Sequence, residues 1–111
     1  MKRNEFARNL AAGTYDLVVL DVLREGPSYG YGIIKRILEQ SGQTIRWQQG
    51  TLYPVLHRLE RRGLLIRTWQ GPPQGRQRCY YRLTSSGQRL WREQREHWRN
   101  FSRGVSALLG L

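Results

Sequence analysis

One stretch of the chain, Gln48 to Leu64 (QQGTLYPVLHRLERRGL), leaves the backbone little choice. Leu52, Val55, Leu56 and Leu59 fall at i, i+3, i+4 and i+7, which gathers apolar side chains along one face of a helix. The opposite face reads Gly50, Pro54, His57 and Arg61, with Tyr53 and Arg58 on its flanks. A helix tolerates proline in its first turn, where the N–H groups have no helical acceptor, so Pro54 sets the start near Gln49 to Thr51. Gly63 stops the helix, just after Arg61 and Arg62 at the negative end of its dipole. The product is apolar below and basic above, with side-chain-free Gly50 and the amides Gln48 and Gln49 at its tip. A helix of this form enters a DNA major groove tip first. An ordinary amphipathic surface helix has the same pattern, and this stretch alone does not separate the two readings.

Charge bears on that choice. Lys plus Arg number 19 against 8 Asp plus Glu, a net charge of +11, and every cation except Lys2 and Lys35 is arginine. Guanidinium groups fork onto phosphates and guanine edges as ammonium groups cannot. The excess points to a polyanion, nucleic acid before an acidic membrane surface. A bare compositional preference for arginine is the alternative that charge leaves open. A length of 111 residues suits one domain with a modest core. Cys79 is the only cysteine, which rules out an internal disulfide and suits a reducing compartment. No apolar run approaches the ~18 residues of a membrane span. The opening MKRNEFARNLAAG is too polar for a signal peptide. A cytoplasmic location without membrane contact is expected.

The rest of the chain supplies a frame for the central helix. Residues from about Asn4 to Arg24 read as helical, with Phe6 and Leu10 as early anchors and Gly13-Thr14 as a bend or join. Tyr15, Val18, Val19, Val22 and Leu23 form a stripe, while Leu17 and Leu20 lie partly outside it. A helix apolar over most of its circumference needs cover on two sides, and a second subunit is one source, which makes Leu17 and Leu20 candidate dimer contacts. Glu25-Gly26-Pro27 ends this helix and Ser28 is a fair N-cap for the next. There Gly30, Ile33, Ile34, Ile37 and Leu38 recur at helical spacing, Lys35 and Arg36 face out, and Gly42 closes the helix. Gly30 and Gly32 imply close packing.

After Gly63 the period becomes two. Leu65, Arg67 and Trp69 alternate with Leu64, Ile66 and Thr68, and RCYYRLT returns after the turn segment GPPQGRQ. Thr84 caps a long last helix, in which Trp91, Gln94, Trp98, Phe101, Val105 and Leu108 alternate by three and four, a coiled-coil seam with one polar member. The expected fold is mainly α with a two-stranded β-wing. A winged helix-turn-helix DNA-binding domain covers residues 1–84 and a C-terminal dimerisation helix covers 85–111. The alternative use of the seam is to fold back onto the chain's own first helix.

Three stretches resemble the PadR family of bacterial transcriptional regulators: Tyr29-Gly30-Tyr31 with Ile33 and Ile34; Gly50-Thr51-Leu52-Tyr53-Pro54 with Leu56, Arg58, Leu59, Glu60, Gly63 and Leu64; and Tyr80-Tyr81-Arg82-Leu83-Thr84 with Gly87. They occur in family order and spacing over most of the chain from Val18 to Gly87, and the middle motif is the specific one. The resemblance implies a homodimeric winged-helix repressor that leaves its operator on binding a small molecule. It implies a third helix in the major groove, a wing on the neighbouring backbone or minor groove, and a C-terminal helix that crosses to the partner. One such helix suits the short subfamily, whose members include regulators that bind flat hydrophobic drugs between subunits.

The candidate DNA-contacting residues are Gln48, Gln49, Gly50, Thr51, Tyr53, Pro54, His57, Arg58 and Arg61 on the central helix, with Arg76 and Arg78 on the wing. Glutamine pairs with adenine edges, and Thr51 and Tyr53 can donate to phosphate. Tyr53 serves equally as a core or capping residue. Tyr29 and Lys35 are lesser phosphate candidates, and Arg82 is either a wing cation or the partner of a carboxylate such as Glu60. Trp91 and Trp98, seven apart on the seam, are candidates for the dimer contact and for a planar aromatic effector, with Tyr15 and Asp16 nearby, Asp16 as a counter-charge to a cationic ligand. His57, His97 and Cys79 have no evident catalytic companion, and Glu93 with His97 at i, i+4 is a salt-bridge spacing before a metal site. No enzyme activity, cofactor or metal is expected. Beside the effector-responsive repressor stand a non-specific basic nucleic-acid binder and a module that meets an acidic protein partner.

Overall fold

The structure, a computed structural model, describes residues 14–111. The expected helical start near Asn4, with Phe6 and Leu10, lies outside the described residues. Helix α1 (14–23 as described) leads through β1 (Ser28–Tyr29) into α2 (Gly30–Gln40) and α3 (Gln49–Arg61). Strands β2 (Leu65–Gln70) and β3 (Arg78–Leu83) form the hairpin, and α4 (Ser85–Leu109) closes the chain.

The core forms where the apolar stripes meet. Leu52, Leu56 and Leu59 of α3 are fully buried against Val19, Leu20 and Leu23 of α1, Ile33 and Ile37 of α2, and Leu65, Tyr81 and Leu83 of the sheet. Leu20, expected at a dimer contact, is 0% exposed within its own chain and has no surface to offer a partner. Leu17 is only half-buried. Arg36 was expected to face out. Instead it reaches across to donate to the carbonyls of Val22 (3.4 Å), Gly26 (3.1 Å) and Pro27 (3.3 Å), clasping the end of α1 to α2. Those carbonyls have no helical donor of their own, which is why a half-buried guanidinium is well placed there.

The sheet has three strands, in the order β1-β3-β2, all antiparallel. The hairpin is as expected, and the added strand is Ser28 and Tyr29 pairing with Tyr81 and Tyr80. Ser28 is therefore a strand residue and not a cap; Tyr29 takes the N-cap position of α2 without a side-chain bond. Two residues are too few to show a period, and their partner strand lies far along the chain.

Local chemistry fixes the joints. At the end of α3, Gly63 has φ +74°, the Leu64 N–H returns to the Leu59 carbonyl (3.0 Å), and the Gly63 N–H to that of Glu60 (2.9 Å). Thr84 Oγ1 accepts from the Gly87 N–H (3.0 Å) and donates to the Gly63 carbonyl (2.7 Å), so one side chain caps α4 and ties it to the end of α3. Gly87 is buried, and a Cβ there would strike the Leu64 carbonyl.

Helix α3 starts at Gln49, as expected, but Pro54 lies inside it and not in its first turn. The Leu52 N–H already reaches the Gln48 carbonyl (3.1 Å), so the free donors end before Pro54. The missing proline N–H leaves the Gly50 carbonyl without a helical partner. Gly50 is exposed, so that carbonyl faces solvent.

Helix α4 divides in two. Near its start Leu90 and Trp91 pack on the core, and the Trp91 indole N–H donates to Asp21 Oδ1 at 2.9 Å. The Arg24 guanidinium sits 5.1 Å from the Trp91 ring. This half of the seam folds back on α1. Beyond it, Trp98, Phe101 and Leu108 are exposed. Among the described residues no helix is long and apolar enough to cross a membrane.

Candidate nucleic-acid interface

Because its apolar stripe is consumed by the core, α3 turns Gln48, Gln49, Gly50, Pro54, His57 and Arg61 outward together. Thr51 and Tyr53 sit half-buried at the margin. Tyr53 packs against α2 so tightly that a Cβ on Gly30 would lie 2.6 Å from its hydroxyl oxygen, which is the close packing that Gly30 implied. Gly32 makes the same allowance for Ser28. Gly50 differs: among the described residues no other part of the fold lies within 4 Å of where its Cβ would be. A glycine costs a helix about 1 kcal/mol relative to alanine. No internal contact requires it here, and its bareness leaves the helix tip open to close approach from outside.

Not every arginine expected on this surface is free. Arg58 forms a short ion pair with Asp16 on α1, and Arg62 approaches the same carboxylate at 3.5 Å. Arg58 is thus drawn towards α1, and Asp16 is no counter-charge awaiting a ligand. Glu60 pairs with Arg67 (3.0 Å) and not with Arg82. Register gives the reason: Arg67 stands opposite Tyr81 on the sheet face turned to α3, whereas Arg82 is opposite Ile66 on the other face. Arg61 and Arg76 are exposed and have no ion-pair partner among the described residues.

The wing adds an aromatic and cationic surface. Arg78 lies 4.6 Å from the Tyr29 ring, which itself neighbours Tyr80 (5.4 Å) and Tyr31 (6.5 Å). Lys35 is exposed on α2, apart from this group. A cleft of about 470 Å³ opens between the wing and the tip of α3, bordered by Tyr31, Gln49, Tyr53, Trp69, Arg76 and Arg78. Tyr31 and Trp69 were not among the contacts expected from the sequence. Their signal is exposure of a large ring, which alternation and helical spacing do not report. A second, shallow hollow on the other flank of α3 is bordered by Pro54, His57, Arg58, Glu60, Arg61 and Arg67. Behind the interface, burial first and then the neighbouring Cys79 thiol push the Tyr81 phenol up to about 12.

The residues expected to bind an effector do not converge. Tyr15 packs on Trp47 with ring centroids 4.8 Å apart, Asp16 is paired to arginines, and Trp91 is bonded to Asp21. Of these, Trp98 borders an apolar pocket of about 280 Å³ with Leu17, Val18, Val22, Ile37 and Ile45. Among the described residues no cluster of His, Cys, Asp and Glu is arranged to hold a metal ion.

The fold is shared. A PadR-family transcriptional regulator of Eggerthella lenta is 39% identical, with a TM-score of 0.77 over 96% of this chain and 90% of its own. A transcriptional regulator of Clostridium thermocellum is 28% identical, with a TM-score of 0.80 over 89% of this chain and 96% of its own. Transcriptional regulator Rv3488 of Mycobacterium tuberculosis is 42% identical over 67 residues, 60% of this chain and 62% of that protein. Residues 19–93, from the first core helix to the base of α4, match the model of the PadR-like family. With the outward face of α3, the three-stranded sheet with its wing and that match in agreement, the chain belongs to the PadR-like family of transcriptional regulators.

Proposed function

We propose that the chain is a cytoplasmic, sequence-specific DNA-binding regulator that acts as a homodimeric repressor and is released by a small planar aromatic effector. One observation carries the DNA reading. The apolar stripe of α3 is spent inside the chain, while its other face presents amides, a bare glycine and Arg61 beside the cationic wing. A surface so composed, without a carboxylate on the tip of the helix, suits a groove lined by phosphates. Of the candidate contacts, Gln48, Gln49 and Gly50 enter the groove, and Arg61, Arg76 and Arg78 take the backbone. Arg58 has a smaller part because Asp16 already holds it.

The second subunit joins through the far half of α4. Phe101 and Leu108 are 64% and 88% exposed, and Trp98 and Val105 lie on the same side. Gln94 is half-buried beside them. Two such faces cover each other and set two α3 helices on one duplex. The effector occupies the pocket under Trp98, where α1 passes between it and the Asp16 ion pairs to α3.

The test is fluorescence anisotropy with a duplex from the promoter of the protein's own gene and a scrambled duplex of equal length, each titrated at several salt concentrations. The repressor reading expects a marked preference for the first. Equal affinity for both supports a non-specific binder instead. A planar aromatic compound is expected to quench indole emission and weaken the complex, and Trp98→Ala to remove both responses. Quenching that survives the substitution places the ligand elsewhere.

A further inference from the structure

Among the described residues, Trp69 has no place in the core packing. Along β2 the residues Leu65, Arg67 and Trp69 face α3, opposite Leu83, Tyr81 and Cys79 of β3. Leu65 is in the core and Arg67 is held by Glu60, but at Trp69 the sheet has run past the core, and the indole is 66% exposed. Its ring N–H has no hydrogen-bond partner among the described residues. The ring lines the 470 Å³ cleft from the wing, together with Arg76 and with Gln49 and Tyr53 of α3. None of the residues bordering that cleft is acidic.

We propose that this cleft seats the sugar–phosphate strand between the two grooves of a duplex, with Trp69 packed on a deoxyribose face. The proposal rests on the DNA-binding reading above and adds a residue to it. If the tip of α3 enters one groove and the end of the wing reaches towards the next, the strand that separates those grooves passes between them. That strand is apolar on its sugar faces and anionic at its phosphates. The cleft matches it in both respects, with an indole wall for the sugar and the Tyr53 hydroxyl, the Trp69 N–H and Arg76 for the phosphate. Trp69 is thus a positioning residue. It fixes how deeply α3 sits without reading a base.

The two kinds of contact respond differently to salt. An arginine on a phosphate releases a counterion, whereas an indole on a sugar does not. Trp69→Ala is expected to weaken binding about tenfold on the promoter duplex and on the scrambled one, with the salt slope unchanged. Trp69→Phe, which keeps a ring, restores most of the loss. Arg76→Ala, measured alongside, lowers the slope by about one. Both Trp69 variants are checked for the parent's circular dichroism and melting profile, and the recovery by phenylalanine separates a lost contact from a damaged wing. Trp69→Ala with unchanged affinity, a loss confined to the promoter duplex, a flattened salt slope, or no rescue by phenylalanine would each overturn the seat. A parent chain that binds neither duplex overturns the DNA-binding reading itself.

Discussion

Helices α3 and α4 carry similar apolar stripes to opposite ends. In α3, Leu52, Val55, Leu56 and Leu59 are at most 2% exposed, because α1, α2 and the sheet cover them. In α4, Phe101, Gly104, Val105 and Leu108 repeat the same i, i+3, i+4, i+7 spacing, and Phe101 and Leu108 stay in solvent. The periodicity of a helix thus tells which of its faces will be covered but not by what. An α3 satisfied from within presents its polar side, suited to a polyanion. An α4 left unsatisfied presents its apolar side, suited to another apolar surface.

The largest effect separates the two stripes by stability. Leu56→Ala removes a fully buried side chain from the centre of the core, and a loss of about 2–5 kcal/mol is expected in chemical denaturation. Phe101→Arg, measured at a concentration where the chain is a single subunit, should leave the denaturation midpoint close to that of the parent. If instead Phe101→Arg costs a dilute chain as much as Leu56→Ala, the two stripes are used alike and the contrast fails.

Assembly gives the second separation. Phe101→Arg is expected to yield single subunits by sedimentation and to weaken binding to the promoter duplex on the order of a hundredfold, since one subunit grips one half-site. Sedimentation as a dimer despite the charge would show that the far half of α4 is not the contact. The third effect belongs to the outer face of α3. Arg61→Ala should weaken binding about tenfold and lower the salt slope by about one, with no change in assembly. An unchanged slope would move Arg61 off the phosphates.

Local features were readable from the chain. The start of α3 at Gln49, its end at Gly63, the hairpin and the Thr84 cap all follow from residues within a turn or two of each other. What escaped is long in sequence and short in space. The Trp91–Asp21 bond spans 70 residues and the Arg58–Asp16 pair spans 42, and neither leaves a periodic trace. The pairing of β1 with β3 is of the same kind. These contacts also decide which candidates are free. Asp16, Trp91 and Leu20, which composition and spacing offered to a ligand or a partner, are each engaged by a distant segment of the chain. Gly50 shows the converse, since its residue type was legible while its meaning, an opening that the chain itself does not fill, needed the structure.

Gly104 offers the smallest effect and the most direct probe of what covers α4. A Cβ there would meet nothing among the described residues. In a lone helix, Gly104→Ala therefore stabilises by up to about 1 kcal/mol, through a lower entropy cost of ordering the backbone. Gly104 also stands between Phe101 and Leu108 on the exposed face, where a missing side chain lets a second backbone come near. The expected outcome is opposed: a higher melting temperature for the dilute subunit, and a dimer dissociation constant raised severalfold. Had the glycine been tolerated merely because solvent is indifferent to it, alanine would strengthen both states equally, and the face that α4 offers its partner would have to be rotated away from this residue.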